Sequence, residues 1–268
     1  MNTTEKTQAL KEMIASKGSM LISYSGGVDS ALLAVLANEV LGCNTRCILL
    51  DSPLVPRSAI AEAQQIAQDC HLVMEIIPIH IMDDERFTKN PAERCYWCKK
   101  KTVKVLKWRK DALHFACIAD GTNVSDTSEH RPGLSASKEE GICHPFLEAG
   151  ITKADIREMA QAAGLSFWNK PSASCLASRI PYGDQITEGK LAMIENAEAF
   201  LHASGISPSR VRMHGSIARI EVVKDEIPKL LAMQDQLAKT FRTIGFAYVT
   251  LDLEGYRSGS MDEVLTTG

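Results

Sequence analysis

Six residues near the N-terminus have the makings of an anion cradle: Ser25-Gly26-Gly27-Val28-Asp29-Ser30. Two adjacent glycines allow a tight turn and let the backbone come close to a ligand. N–H groups at a helix start have no partner inside the helix and are free to face an anion. Ser25 and Ser30 add hydroxyls. Asp29 does not favour a bare phosphate, so its carboxylate points to a Mg²⁺ ion between protein and phosphates. The spacing is not that of a Walker A loop, because no lysine follows, and it lacks the Gly-x-Gly-x-x-Gly of dinucleotide folds. The stretch reads as a pyrophosphate cradle, weighed against an ordinary strand-to-helix turn that holds two glycines.

Cysteine supplies the second constellation. Cys95-Tyr96-Trp97-Cys98 is a CxxC pair at a helix start, and Cys175 follows in Ser172-Ala173-Ser174-Cys175. Three readings stand side by side. Zinc wants a fourth ligand, and no second CxxC exists. A thioredoxin-like redox pair wants its CxxC directly after a strand, and this one follows a polar loop. A 4Fe-4S cluster on three thiolates leaves one iron open to an outside ligand. Cys43, Cys47, Cys70, Cys117 and Cys143 lie in apolar or helical contexts and read as packing residues. Arg210 and Arg212 alternate on a strand, share one face and suit a phosphate, or else a solvated salt-bridged strand. The seven histidines show no ligand spacing.

The elements that must position these residues alternate strand and helix. Met20–Tyr24, Arg46–Asp51, Leu72–Ile79 and Phe115–Asp120 are apolar strands. Met1–Lys17, Ala31–Leu41, Pro56–Cys70 and Pro91–Lys110 are helical, and Asp83–Asn90 reads as a mobile polar connection. This βαβ rhythm predicts a parallel sheet with helices on both faces. Ligands bind at the carboxyl ends of such strands, where Ser25, Asp51 and Gly121 lie. Thr152 to Asp155 predicts a capping box opening a helix that Gly164 stops. Residues 170–183 read as irregular. Beyond them the pattern changes: a helix over Thr187–Ser204, a hairpin around Gly215-Ser216, a helix over Ile227–Ile244 and a last strand over Phe246–Leu253. The expected architecture is α/β: a parallel-sheet domain with helices on both faces over residues 1–180 and a smaller α+β domain over 181–268.

The 268 residues are 45% hydrophobic and 24% charged, ordinary for a soluble globular chain. A net charge of −3 gives no support for nucleic-acid binding. No apolar run reaches bilayer length and the start has no signal-peptide core, so a cytoplasmic protein with no membrane partner is expected. Eight cysteines are then no disulfide framework.

Ser-Gly-Gly-Val-Asp-Ser after a strand looks like the PP-loop of ATP pyrophosphatases, which cleave ATP between its α and β phosphates. With Asp120 to Asn123, Arg131 to Gly133, Trp168 to Cys175, Ser178 to Gly183, Arg210 to Arg212, Ala218 to Glu221 and Tyr248 to Gly259 added, nearly the whole chain resembles the LarE family of ATP-dependent sulfur transferases. The resemblance implies adenylation of a carboxylate of a pyridinium dicarboxylate mononucleotide and its conversion to a thiocarboxylate for the nickel-pincer nucleotide. It implies a nucleotide site for ATP and Mg²⁺ from Ser23, Ser25, Gly26, Gly27, Val28, Asp29, Ser30, Asp51, Ser52, Gly121 and Arg131. Arg179, Arg210 and Arg212 are expected at the substrate phosphate. Asp29, Cys175, Glu198 and Glu221 are expected at the chemistry. In some members the matching cysteine gives up its own sulfur. Members with a CxxC hold a 4Fe-4S cluster whose open iron carries a hydrosulfide, which favours Cys95, Cys98 and Cys175 as cluster ligands here, fed by sulfide or a small-molecule sulfur donor. The resemblance further implies a Rossmann-like PP-loop fold for residues 1–180, substrate binding and oligomerisation by residues 181–268, and a homo-oligomer such as a hexamer. The enzymatic alternative is a tRNA-thiolating PP-loop enzyme; the non-enzymatic one is an ATP-binding protein with structural zinc.

Overall fold

A computed structural model describes residues 3–128, 132–171, 174–257, 259–261 and 263. In chain order its elements are α1 (Thr3–Ser16), β1 (Met20–Ser23), α2 (Val28–Leu41), β2 (Thr45–Asp51), α3 (Arg57–Asp69), β3 (Met74–Pro78), α4 (Glu85–Thr88), α5 (Arg94–Ala112), β4 (Cys117–Ala119), α6 (Pro132–Glu139), α7 (Pro145–Glu148), α8 (Lys153–Ala162), α9 (Glu188–Ala203), β5 (Ser209–His214), β6 (Ile217–Val222), α10 (Ile227–Ala232), α11 (Gln234–Ile244) and β7 (Tyr248–Leu251). The chain divides into two compact units, 1–81 with 93–173, and 82–92 with 174–268.

The first unit is built on a parallel sheet in the order β3-β2-β1-β4. Alternation along each strand sends side chains to opposite faces. Leu21, Ile48 and Ile118 pack with Val103 and Leu106 of α5. Met20, Ile22, Cys47 and Leu49 join Leu32, Leu33 and Leu36 of α2 and Ile60, Ala63 and Ile66 of α3. The middle of α2, Ala31–Ala37, is a continuous apolar run because the helix is largely buried, with eight of its fourteen residues enclosed. The chain runs outward from β1 to β3, then returns to place β4 on the other side of β1. The strand order therefore reverses between β1 and β4, and ligands of open α/β sheets bind in the crevice at such a point.

The second unit holds an antiparallel β5–β6 hairpin, with β7 added parallel to β6. Leu191, Ile194, Ala197 and Leu201 give α9 a buried stripe, and Val211, Met213, Ala218 and Ile220 supply the sheet's buried positions. Two expectations change here. Residues 83–90 are not a plain connection: Asp84 caps α4, which buries Phe87, and Asn90 donates from Nδ2 to Pro181 O at 2.7 Å. The helix expected over Ile227–Ile244 is two helices, broken at Met233.

Candidate nucleotide and sulfur-transfer site

The Ser25–Ser30 turn joins β1 to α2 at the switch point. Gly26 has φ +69°, and a Cβ on it would stand 2.4 Å from Ala63 Cβ, so both conformation and space require glycine. Gly27 is the N-cap of α2 and has no side chain to cover the free N–H groups behind it. Ser25 N–H donates to Ser30 Oγ at 3.1 Å, the two hydroxyls lie 3.0 Å apart, and Ser30 Oγ donates to Gly27 O at 3.2 Å. The turn is thus braced from within. Val28 is buried at the first helical position and anchors it.

Two cations reach this turn from far along the chain. Lys153, the first residue of α8, pairs with Asp29. Lys170 Nζ donates to Gly26 O at 2.9 Å and pairs with Glu62 at 2.9 Å. Burial lifts the Asp29 carboxyl above its usual range, against the opposing pull of Lys153. Gly121 packs on the same turn: a Cβ there would meet Ser30 N at 2.8 Å and Asp29 C at 2.9 Å. Ser23 ends β1 and Asp51 ends β2, the neighbouring strand. Asp51 pairs with Arg57 at 2.7 Å, and Ser52 is buried, its Oγ accepting from Leu54 N–H at 3.3 Å. The turn, Gly121 and the carboxyl ends of β1 and β2 are therefore brought together. Arg131 lies outside the described residues. Lys153 and Lys170 were missed by sequence reading; a lysine at a helix start just inside a capping box was the only local signal.

Cys95 is exposed and Cys98 half-exposed, both in the opening turns of α5, where N–H dipoles favour thiolates. Spacing of three places them on one helix face. Among the described residues no three His, Cys, Asp or Glu side chains gather as a metal-binding group. Of the cysteines read as packing residues, Cys47 is buried and its thiol is pushed up to about 12 by burial, Cys70, Cys117 and Cys143 are half-buried, and Cys43 is exposed. Cys43 sits in a short 3-10 turn after α2, none of whose three residues is buried.

In the second unit Cys175 is exposed and precedes a 3-10 turn, Leu176–Arg179. Arg179, 2% exposed, grips Glu198 with Nε and Nη2, both at 3.0 Å. Its Nη1 donates to Ser174 O and Cys175 O, each at 2.9 Å. The guanidinium is a clamp on the cysteine loop. Glu198 also accepts from Val211 N–H at 3.0 Å, so one carboxylate ties the loop to β5. Arg212 donates to Glu221 from Nε and Nη2, at 3.0 and 2.9 Å, and from Nη1 to Ser178 O at 3.1 Å. Glu221, wholly buried, accepts from Ser260 and Arg219 as well. Stranding one partner of such a pair costs about 3–5 kcal/mol. Arg210 shares the strand face but not the network: its guanidinium lies 5.3 Å from the Tyr256 ring centroid, and Nη1 donates to Ser209 O at 2.7 Å. Burial lowers its pKa.

No helix of the described residues is long and apolar enough to cross a membrane. A glycine turn at the switch point of a parallel sheet, with no Walker lysine and with a carboxylate at the second helical position, defines the PP-loop class of ATP-using α/β enzymes. A family model described as NAD synthase matches residues 3–103. An uncharacterized protein of Synechocystis sp. is 39% identical over 265 residues, 97% of this chain and 98% of that protein. An uncharacterized protein of Methanocaldococcus jannaschii is 34% identical over 249 residues, 93% of this chain and 94% of that protein. The pyridinium-3,5-bisthiocarboxylic acid mononucleotide synthase of Lactiplantibacillus plantarum is 33% identical over 246 residues, 91% of this chain and 89% of that protein. The chain belongs to the LarE family of PP-loop enzymes and is an ATP-dependent sulfurtransferase.

Proposed function

We propose that the enzyme adenylates a carboxylate of a pyridinium dicarboxylate mononucleotide and replaces the adenylate with sulfur, as a step toward the nickel-pincer nucleotide. The observation that carries the reading is the convergence of Lys153, Lys170 and Gly121 on the glycine turn, within a chain 33% identical to a relative named for this product class. A carboxylate oxygen attacks the α phosphorus of ATP, the bond to the β-phosphate bridging oxygen breaks, and pyrophosphate leaves. The N–H groups behind Gly27 and the two lysines stabilise that departing charge. A sulfur nucleophile then attacks the acyl carbon, AMP leaves with the bonding pair, and a thiocarboxylate results.

Asp29 suits Mg²⁺: it is a partly buried carboxylate at the cradle, already facing a cation in Lys153. Bound there, the metal would neutralise phosphate charge and polarise the bond that breaks. The opening turns of α5 suit thiolate ligation by donor type and helix position, so Cys95 and Cys98, with Cys175, are assigned to a 4Fe-4S cluster. Such a cluster would supply an iron without a protein ligand, able to take sulfide from a small-molecule donor. Arg179, Glu198, Arg212 and Glu221 hold the Cys175 loop and β5 in shape. Arg210 is the guanidinium assigned to the substrate phosphate. The protein is proposed to work in the cytoplasm as a homo-oligomer.

Exposure of Cys175 also suits the second reading, in which its thiolate attacks the acyl adenylate and elimination across its Cα and Cβ leaves the sulfur on the product. Anaerobic purification with iron and sulfide analysis, followed by mass measurement of the chain after turnover, decides between them. Iron, sulfide and an unchanged chain mass are expected. A chain lighter by one sulfur and two hydrogens, with no iron, gives the step to Cys175. ADP and phosphate as products would overturn the adenylation itself.

A further inference from the structure

A buried charge cluster beside the nucleotide turn has no part in the reaction above. Asp120 follows β4 directly and is 7% exposed. Its Oδ1 lies 2.8 Å from His144 Nδ1 and accepts from Thr122 N–H at 3.1 Å; its Oδ2 pairs with Lys99 Nζ at 2.7 Å. His144, the N-cap of α7, is 5% exposed, and its Nε2 is buried with no partner among the described residues. The His144 ring meets the carboxylate through Nδ1. Burial alone would raise the Asp120 carboxyl, but the His144 bond and the Lys99 charge more than offset it and hold it well below the carboxylate range.

Two neighbours give the cluster its meaning. Gly121, next to Asp120, lies against the first turn of α2, and Lys99 is the residue after Cys98. The carboxylate thus joins the loop seated on the nucleotide turn to the helix turns that carry the CxxC pair. We propose that Asp120 and Lys99 are positioning residues that fix the opening turns of α5 relative to the nucleotide turn, with His144 holding the carboxylate in place. The inference rests on the sulfur-transfer reading for its effect on turnover, but not for the tie itself. Held this way, the CxxC turns keep one distance from the turn where the adenylate forms. Loosened, they do not, and the loss falls on sulfur transfer rather than on ATP binding.

The test uses the full-length, as-purified protein with Lys99→Met, Lys99→Arg, Asp120→Asn and His144→Gln. Steady-state rates are read for AMP formation and for sulfur product. Trp97 lies between the two cysteines, and acrylamide quenching of its emission in a Trp108→Phe, Trp168→Phe background reports on the helix turn directly. Lys99→Met and Asp120→Asn are expected to lower sulfur-product turnover about tenfold with the KM for ATP within about twofold. His144→Gln should fall between them and wild type. Lys99→Arg should restore most of the rate, since it keeps the ion pair, and quenching of Trp97 should rise in the two severe variants only. Four results overturn the proposal: KM for ATP rising in step with the lost turnover, Lys99→Arg as impaired as Lys99→Met, unchanged turnover throughout, or unchanged Trp97 quenching. If Asp120→Asn does not fold, the Lys99 pair carries the test. If wild type makes no sulfur product, the functional reading fails while Trp97 quenching still decides the tie.

Discussion

Asp29 sits in a conflict between fold and function. Burial pushes its carboxyl upward, so ionisation costs the folded state, while the cradle needs that charge for a cation. Its raised pKa means the cost sets in as pH climbs above the unfolded value. Asp29→Asn should therefore abolish AMP formation, followed by chromatography, while the thermal midpoint stays level or rises; a large fall in midpoint would show that the carboxylate serves the fold instead. Asp120 has the opposite sign. Its folded pKa lies below the unfolded value, so its stabilisation is fully present above about pH 4 and is lost as pH falls toward the folded value. Urea midpoints measured from pH 5 downward should decline in wild type and decline less in Asp120→Asn. An equal decline would place the acid sensitivity in other carboxylates.

Elements whose signals are local were legible in the sequence. Thr152 and Asp155 form the capping box that their spacing implied, and β5 and β6 pair around Gly215-Ser216 as expected. The glycine turn was legible too, because its constraint is steric: Gly26→Ala adds both a left-handed residue, about 1–2 kcal/mol, and an atom that Ala63 excludes, about 1–3 kcal/mol more. Calorimetry should show a drop in midpoint together with loss of ATP turnover, and normal stability would mean the turn shifts at little cost. What the sequence hid is convergence over distance. Lys153 lies 124 residues from the aspartate it meets and Lys170 lies 144 from the carbonyl it binds, separations at which no periodicity speaks. Arg179 and Arg212 were legible as cations but not as clamps, since their partners Glu198 and Glu221 come from other elements.

At the scale of the whole molecule, reversal of strand order between β1 and β4 explains why residues 25–30 and 121 share one crevice. The smaller unit is built from two stretches, 82–92 and 174–268, pinned by Asn90 to the carbonyl of Pro181 and by Ile186 N–H to Thr88 O at 2.8 Å. A fragment of residues 174–268 should accordingly lack cooperative unfolding by circular dichroism, and a peptide of residues 82–92 supplied in trans should restore part of it; a cooperative transition in the fragment alone would show the short stretch to be dispensable. The same two-part construction sets a timetable at the ribosome. Phe87 and Asn90 emerge early, and all of residues 93–173 must be made before their partners exist. At about 5–20 residues per second that is a wait of seconds. For that interval a short stretch is exposed to chaperones and proteases, while the layers made before it already hold β1, β2 and β3, three of the four strands of their sheet.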